Sequence, residues 1–141
     1  MGCIRDAEFT CLKNLSLQYK FYLAFENSNC AGHITEKFFV NGLSFGMLPV
    51  VMGASREVYC AVAPPNSFIH VDDFSSPAEL ADYLNWLDKN DDAYASYFAW
   101  QAYGKVLVRA FARNCSKISL FHCVTQILFV IFHISMYSGR H

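Results

Sequence analysis

Apolar residues along this chain fall into short runs punctuated by turn-forming residues, and the spacing within the runs switches between strand-like and helix-like. From Lys20 to Phe25 the chain is almost unbroken apolar and aromatic, which predicts a strand covered on both faces. Asn27, Ser28, Asn29 and Gly32 then mark a loop. Thr35 stands as an N-cap, with Phe38, Phe39, Gly42, Leu43 and Phe45 at helical spacing behind it and Gly46 positioned to stop the helix. Gly42 removes a side chain from the middle, so this helix should be short and closely packed. Leu48 to Met52 reads as a second buried strand between Gly46 and Gly53, and Ser67 to Val71 as a third after the Pro64-Pro65 break.

Ser76-Pro77-Ala78-Glu79 is a capping box with proline at the first helical position, the clearest helix start in the chain. Leu80, Leu84 and Leu87 follow at i, i+4, i+7 and define one core face. Asn90-Asp91-Asp92 interrupts, after which Tyr94, Tyr97 and Phe98 resume helical spacing with Trp100 nearby. Residues 1 to 18 lack periodicity and read as loop with one helical turn. The order strand, helix, strand, strand, helix, helix predicts an α/β fold, layers of helices around a parallel sheet. The expected organisation is a loop remnant over 1–18, a domain over 19–114 and a divergent apolar tail over 115–141, with no internal repeat or low-complexity linker.

Composition narrows the partners. The chain has 141 residues, 54% apolar and 16% aromatic, ample for one buried core. Eleven basic and 12 acidic residues give a formal charge of −1, without the basic surplus that nucleic-acid binding calls for, so an anionic ligand must be held locally. The six cysteines include no Cys-x-x-Cys pair and read as buried thiols or unassigned disulfides. Asn14-Leu15-Ser16 and Asn114-Cys115-Ser116 are formal glycosylation acceptors, weak pointers to a lumenal location. The opening MGCIRDAEF has no apolar core of the kind a signal peptide needs. At the other end, Ile118 to Tyr137 carries no formally charged side chain and is long enough to span roughly 30 Å of hydrocarbon. His122, Thr125, Gln126 and His133 are costly there, so a buried helix or an unnatural terminus is the preferred reading over a membrane span.

In open α/β sheets ligands bind beyond the carboxyl ends of strands, beside helix starts. The first strand delivers Glu26, Asn27 and Ser28 to such an end, and the helix begun at Thr35 presents Glu36 and Lys37 in its first turn. An ammonium suits a phosphate as a point charge, and a carboxylate beside it suits sugar hydroxyls. A nucleoside diphosphate or nucleotide sugar fits that pair better than a bare phosphate. Spacing alone nevertheless favours an ordinary helix start with a surface Glu and Lys.

The motifs YKFYLAFENS, ITEK, GMLPVVMG, APPNSFIHVDDF, SPAELADYLNWLDKND and YFAW, in that order from Tyr19 to Trp100, resemble the carboxyl-terminal domain of the α-1,3-fucosyltransferase family. The resemblance implies the Rossmann-like carboxyl-terminal half of a GT-B glycosyltransferase, which holds GDP-fucose, while most acceptor contacts come from the amino-terminal half. It assigns Asn27, Glu36 and Lys37 to the donor site, with Glu36 on ribose hydroxyls and Lys37 on the diphosphate as GDP leaves. Glu26 is implied to act through the loop or the sugar. The family commonly has a tyrosine three residues before the Glu of its Thr-Glu-Lys motif, and here that position is His33, which can stack or hydrogen-bond without a phenol's reach.

Transfer in the family inverts the anomeric centre, with a base taking the acceptor proton. That base is expected in the amino-terminal half, so no catalytic residue is assigned within this chain. An upstream arginine that helps hold the diphosphate in the family has no counterpart in residues 1–18, where Arg5 stands alone. The resemblance implies a glycan or glycoprotein acceptor and a Golgi membrane setting, and no metal or other cofactor. The rival reading is a non-catalytic membrane-associated or interaction protein that kept the fold.

Four other features carry blander expectations. Asp72-Asp73 and Asp88 to Asp92 read as loop and helix-junction residues rather than as a divalent-metal site. Arg56, in the loop after Gly53, could reach a phosphate or acceptor but reads as a surface arginine. Tyr59 is placed in the same loop, as packing. The aromatics from Tyr94 to Trp100 read as core.

Overall fold

The computed structural model describes residues 8–27 and 34–106. His33 and the apolar stretch from Ile118 to Tyr137 lie outside the described residues. The elements are helix α1 (Glu8–Ser16), strand β1 (Phe21–Phe25), a π-helix (Lys37–Gly42) running into a 3-10 turn (Leu43–Phe45), strand β2 (Leu48–Met52), helix α2 (Arg56–Val62), strand β3 (Ile69–His70), helix α3 (Pro77–Asp88) and helix α4 (Asp91–Ser96). A last 3-10 segment covers Ala99–Ala102.

The three strands form one parallel sheet in the order β1-β2-β3, with Phe21 opposite Leu48 and Val50 opposite Ile69. Parallel neighbours need a crossover, and each pair has a helical one here. For β2 and β3 that crossover is α2, in a stretch that sequence reading leaves as loop. The overlooked pattern is Val58, Tyr59 and Val62, which at i, i+1 and i+4 share a helical face packed on the core. Tyr59 is therefore a fully buried helical residue rather than a loop residue. Similarly, the loop expected over residues 1–18 contains α1, which buries Leu12.

Side chains alternate across the sheet, so each face has its own cluster. On one face Ala24 and Val51 meet Phe38 and Phe39 of the π-helix and Tyr59 of α2. The rings of Phe38 and Tyr59 meet edge to face with centroids 5.2 Å apart. On the other face Leu48, Val50 and Ile69 meet Leu87, with Leu80, Leu84, Tyr94, Tyr97 and Phe98 packed around them. The aromatics placed in the core do pack there, and both tyrosines among them use their hydroxyls: Tyr94 donates to the Lys20 carbonyl at 2.7 Å, and Tyr97 bonds the Tyr83 hydroxyl of α3 at 2.7 Å. Strand β1 is not covered throughout as its composition suggests. Phe21 and Phe25 reach the second cluster, whereas Leu23 is 58% exposed because β1 is an edge strand of the described sheet.

Strand β3 is shorter than the Ser67–Val71 run predicts, because local side-chain bonds compete with the ladder. The buried Ser67 hydroxyl donates to the Pro64 carbonyl at 2.7 Å, and His70 Nδ1 accepts the Asp72 N–H at 3.1 Å, starting a 3-10 turn. The other ring nitrogen of His70 lies 3.0 Å from the Ala54 carbonyl, so a neutral ring with its proton on Nε2 satisfies both neighbours.

The start of α3 is as expected. Ser76 Oγ accepts the Glu79 N–H at 3.2 Å, and Glu79 Oε2 accepts from Ser75 N at 2.7 Å, one residue earlier than a standard capping box. Ser76→Ala is expected to cost about 1 kcal/mol of stability, read as a lower urea midpoint; an unchanged midpoint would show that the cap contributes nothing. Asn90, at the junction of the two helices, serves the end of α3 and not the start of α4. Its side chain donates to the Trp86 carbonyl at 2.6 Å, closing α3, and makes no cap bond to α4. Asp91 there pairs with Lys20 at 2.9 Å.

Candidate functional site

The helix after β1 is a π-helix over Lys37–Gly42 instead of an α-helix capped by Thr35, and three contacts hold it on the sheet. Asn41 Nδ2 donates to the Tyr22 hydroxyl of β1 at 3.0 Å. Gly42 lies so close to β2 that a Cβ there would stand 3.0 Å from Pro49 Cβ, which is the close packing its missing side chain predicts. At the helix start, Thr35 is tied to Glu26 at the end of β1. The 3-10 turn that follows the helix ends with Gly46 at φ 74°, a left-handed conformation that glycine adopts without strain.

The result is that the end of β1 and the Thr35-Glu36-Lys37 segment face one another. Lys37 Nζ donates to the Phe25 carbonyl at 2.8 Å and to Asn27 Oδ1 at 3.2 Å, and stands 3.8 Å from Glu26 Oε2. Its side chain is 26% exposed, so the ammonium is partly desolvated yet reachable. An ammonium has three donors, and the two oxygens occupy two of them. Glu36 and Asn27 are exposed, and the Glu36 carboxylate has no hydrogen-bond partner among the described residues. The helix is only six residues long, so the positive charge at this site is carried by Lys37 more than by the helix dipole.

Glu26 differs from Asn27 in direction. Its side chain is 1% exposed and turns into the fold, where Oε1 accepts from the Thr35 N–H at 2.9 Å and lies 2.8 Å from Thr35 Oγ1, with Oε2 at 3.0 Å. The strand therefore presents Asn27 outward and Glu26 inward, as its alternation requires. Opposite Glu26 lies Gly53, at the end of β2, with φ 141°. A Cβ on Gly53 would stand 2.8 Å from Glu26 Cβ and 3.0 Å from its Cγ. Thr35 and Gly53 are thus parts of the site that motif reading left out. Thr35 was legible only as a cap and Gly53 only as a turn.

Other candidates point elsewhere. Arg56 bonds Asp73 Oδ2 at 2.8 Å and lies over the Phe68 ring at 5.9 Å. Asp72 and Asp73 diverge toward His70 and Arg56, and no group of three or more His, Cys, Asp or Glu side chains converges among the described residues. Burial pushes the Tyr59 phenol up to about 12, with the Glu26 charge adding to it, so this hydroxyl stays neutral. It has no hydrogen-bond partner among the described residues. The Ser55 hydroxyl beside Glu57 holds that carboxyl below its usual range.

Known proteins share this arrangement of sequence and fold. Residues 2–127 match the family model described as glycosyltransferase family 10 (fucosyltransferase) C-term, a longer span than the quoted motifs. The chain is 55% identical over 105 residues to glycoprotein 3-alpha-L-fucosyltransferase A of Drosophila melanogaster, covering 74% of this chain and 21% of that protein. It is 53% identical over 92 residues to 4-galactosyl-N-acetylglucosaminide 3-alpha-L-fucosyltransferase FUT6 of Homo sapiens, covering 65% of this chain and 25% of that protein. Among solved structures, an alpha1,3-fucosyltransferase with GDP matches at TM-score 0.53 and 31% identity, covering 62% of this chain and 25% of that one. An alpha1,3-fucosyltransferase with GDP-fucose matches at TM-score 0.54 and 26% identity, covering 86% of this chain and 36% of that one. The chain thus spans between a fifth and a quarter of the length of these curated relatives. By its ordered motifs, its parallel α/β sheet and the match over residues 2–127, it belongs to the glycosyltransferase family 10 fucosyltransferases, as part of their carboxyl-terminal domain.

Proposed function

We propose that this chain supplies the donor-binding half of an alpha-1,3-fucosyltransferase, which transfers fucose from GDP-fucose to a glycan acceptor with inversion, in protein glycosylation. The observation that carries the proposal is the Lys37 ammonium, held at the end of β1 by Phe25 O and Asn27 Oδ1 with a donor to spare. A diphosphate displacing Asn27 would gain two charge-assisted bonds from an ammonium already oriented, without the entropy of ordering a free lysine. Glu36, exposed next to it, is suited to accept from ribose hydroxyls. As the glycosidic bond to fucose breaks, negative charge grows on the departing GDP, and Lys37 would stabilise that charge more than it stabilises the intact donor. The base for the acceptor hydroxyl would come from the amino-terminal half of such an enzyme, and the donor contacts from this one.

The acceptor would be a glycan or glycoprotein, and the chain is equally similar to relatives that differ in linkage. Two human relatives differ in this respect by name, a 3-alpha-L- and a 4-alpha-L-fucosyltransferase, and both are 53% identical to this chain over 92 residues. A Golgi lumenal setting accords with Cys11 being disulfide-bonded, since such bonds persist in oxidising compartments. Among the described residues no helix is long and apolar enough to cross a membrane.

Titrating the purified chain with GDP tests the proposal. Saturable binding at or below about millimolar nucleotide is expected, carried by the oriented Lys37 ammonium. Absence of binding by a chain whose circular dichroism shows an α/β fold would remove the donor-site reading.

A further inference from the structure

Glu26 is a carboxylate nearly withdrawn from water, and burying such a charge is costly unless it is paired and hydrogen-bonded. Its partners show what the burial achieves. The Thr35 N–H and hydroxyl are both within 3.0 Å, and the Lys37 ammonium is 3.8 Å away. All of them belong to the Thr35-Glu36-Lys37 segment, nine to eleven positions further along the chain, across the loop. The Thr35 hydroxyl, in turn, lies 3.4 Å from the Lys37 N–H as acceptor. One carboxylate therefore holds the backbone entering the helix, the hydroxyl beside that helix's first amide, and the ammonium at its start. Gly53 allows this by leaving room for the Glu26 stem.

We infer that Glu26 is a positioning residue of the donor site: it acts through Thr35 and Lys37, fixing where the ammonium stands, and does not touch the sugar. This inference rests on the donor-site reading of Lys37. It follows that removing the Glu26 charge weakens binding of every ligand that uses Lys37 to the same degree, whether or not a sugar is attached.

The test compares Glu26→Gln with wild type for GDP and for GDP-fucose, alone and in a Lys37→Ala background, and follows the Lys37 side-chain ammonium by NMR without nucleotide. Glu26→Gln keeps the shape and one acceptor for the Thr35 N–H while removing the charge. The expected result is an affinity loss of about tenfold, equal for GDP and GDP-fucose and absent when Lys37 is already alanine, with a shifted Lys37 ammonium resonance. A loss confined to GDP-fucose, full additivity with Lys37→Ala, or an unmoved ammonium resonance would overturn the inference. If Glu26→Gln does not fold, Thr35→Val removes the hydroxyl alone and should give a smaller loss, again equal for the two ligands; unequal losses overturn the inference. Failure of wild type to bind GDP would sink the donor-site reading, whereas the nucleotide-free resonance still decides whether Glu26 positions Lys37.

Discussion

Gly53→Ala is expected to destabilise this domain by about 3 kcal/mol, a large share of the roughly 5–15 kcal/mol that a domain of this size commands. Two costs add. At φ 141° an L-residue is strained whatever the space, by about 1–3 kcal/mol. The added Cβ would also stand 2.8 Å from Glu26 Cβ and 3.0 Å from its Cγ, an overpacking cost of about 1–3 kcal/mol. Relief by a rotamer change is blocked, because the clash falls on the stem of Glu26 and its carboxylate is bound to Thr35. Denaturant unfolding followed by circular dichroism reads the effect directly. A midpoint within the wild-type error would show that the ends of β1 and β2 can part freely, and would weaken the case that Glu26 is fixed.

Lys37→Ala should raise the GDP dissociation constant by about tenfold to a hundredfold, in line with loss of hydrogen bonds to a charged group. Arg56→Ala should change it by less than about threefold, because its guanidinium lies over the Phe68 ring at 5.9 Å and against Asp73 at 2.8 Å, pointing away from Lys37. The comparison is informative because both residues follow strand ends and both are cations. If Arg56→Ala were the more damaging substitution, the phosphate would have been assigned to the wrong strand end. Circular dichroism on both variants separates lost binding from lost fold, and Lys37 is the safer removal since Glu26 keeps its bonds to Thr35.

Much of the architecture is readable from local pattern because its signals are local. The run from Leu48 to Met52 becomes β2 with the same limits, and Ser76-Pro77-Ala78-Glu79 starts α3 where proline and the cap residue dictate. Pro49 sits within β2 without disrupting it. Leu48 N–H donates to β1 at Lys20 O, so the donor that proline lacks falls on the opposite side, where β3 begins pairing only at Val50. The miss at α2 has the reverse cause. Seven residues opened by Arg56-Glu57 are too few to establish a helical period, and the face formed by Val58, Tyr59 and Val62 gains its meaning once Tyr59 is seen filling the space between Phe38 and Phe68.

By itself the sequence determined the strand cores, the capped helix and the presence of Asn27, Glu36 and Lys37 at one strand end and one helix start, since periodicity and turn chemistry act over a few residues. Alternation puts Glu26 and Asn27 on opposite sides, and tertiary structure decided which of the two is buried. Glu26 and Asn27 are neighbours with nearly interchangeable prospects in the chain, but Glu26 meets Gly53 from another strand and Thr35 from across a loop, while Asn27 meets Lys37 near solvent. A strand-end side chain takes its orientation from what lies opposite, and those neighbours arrive only when β1, β2 and the π-helix pack together.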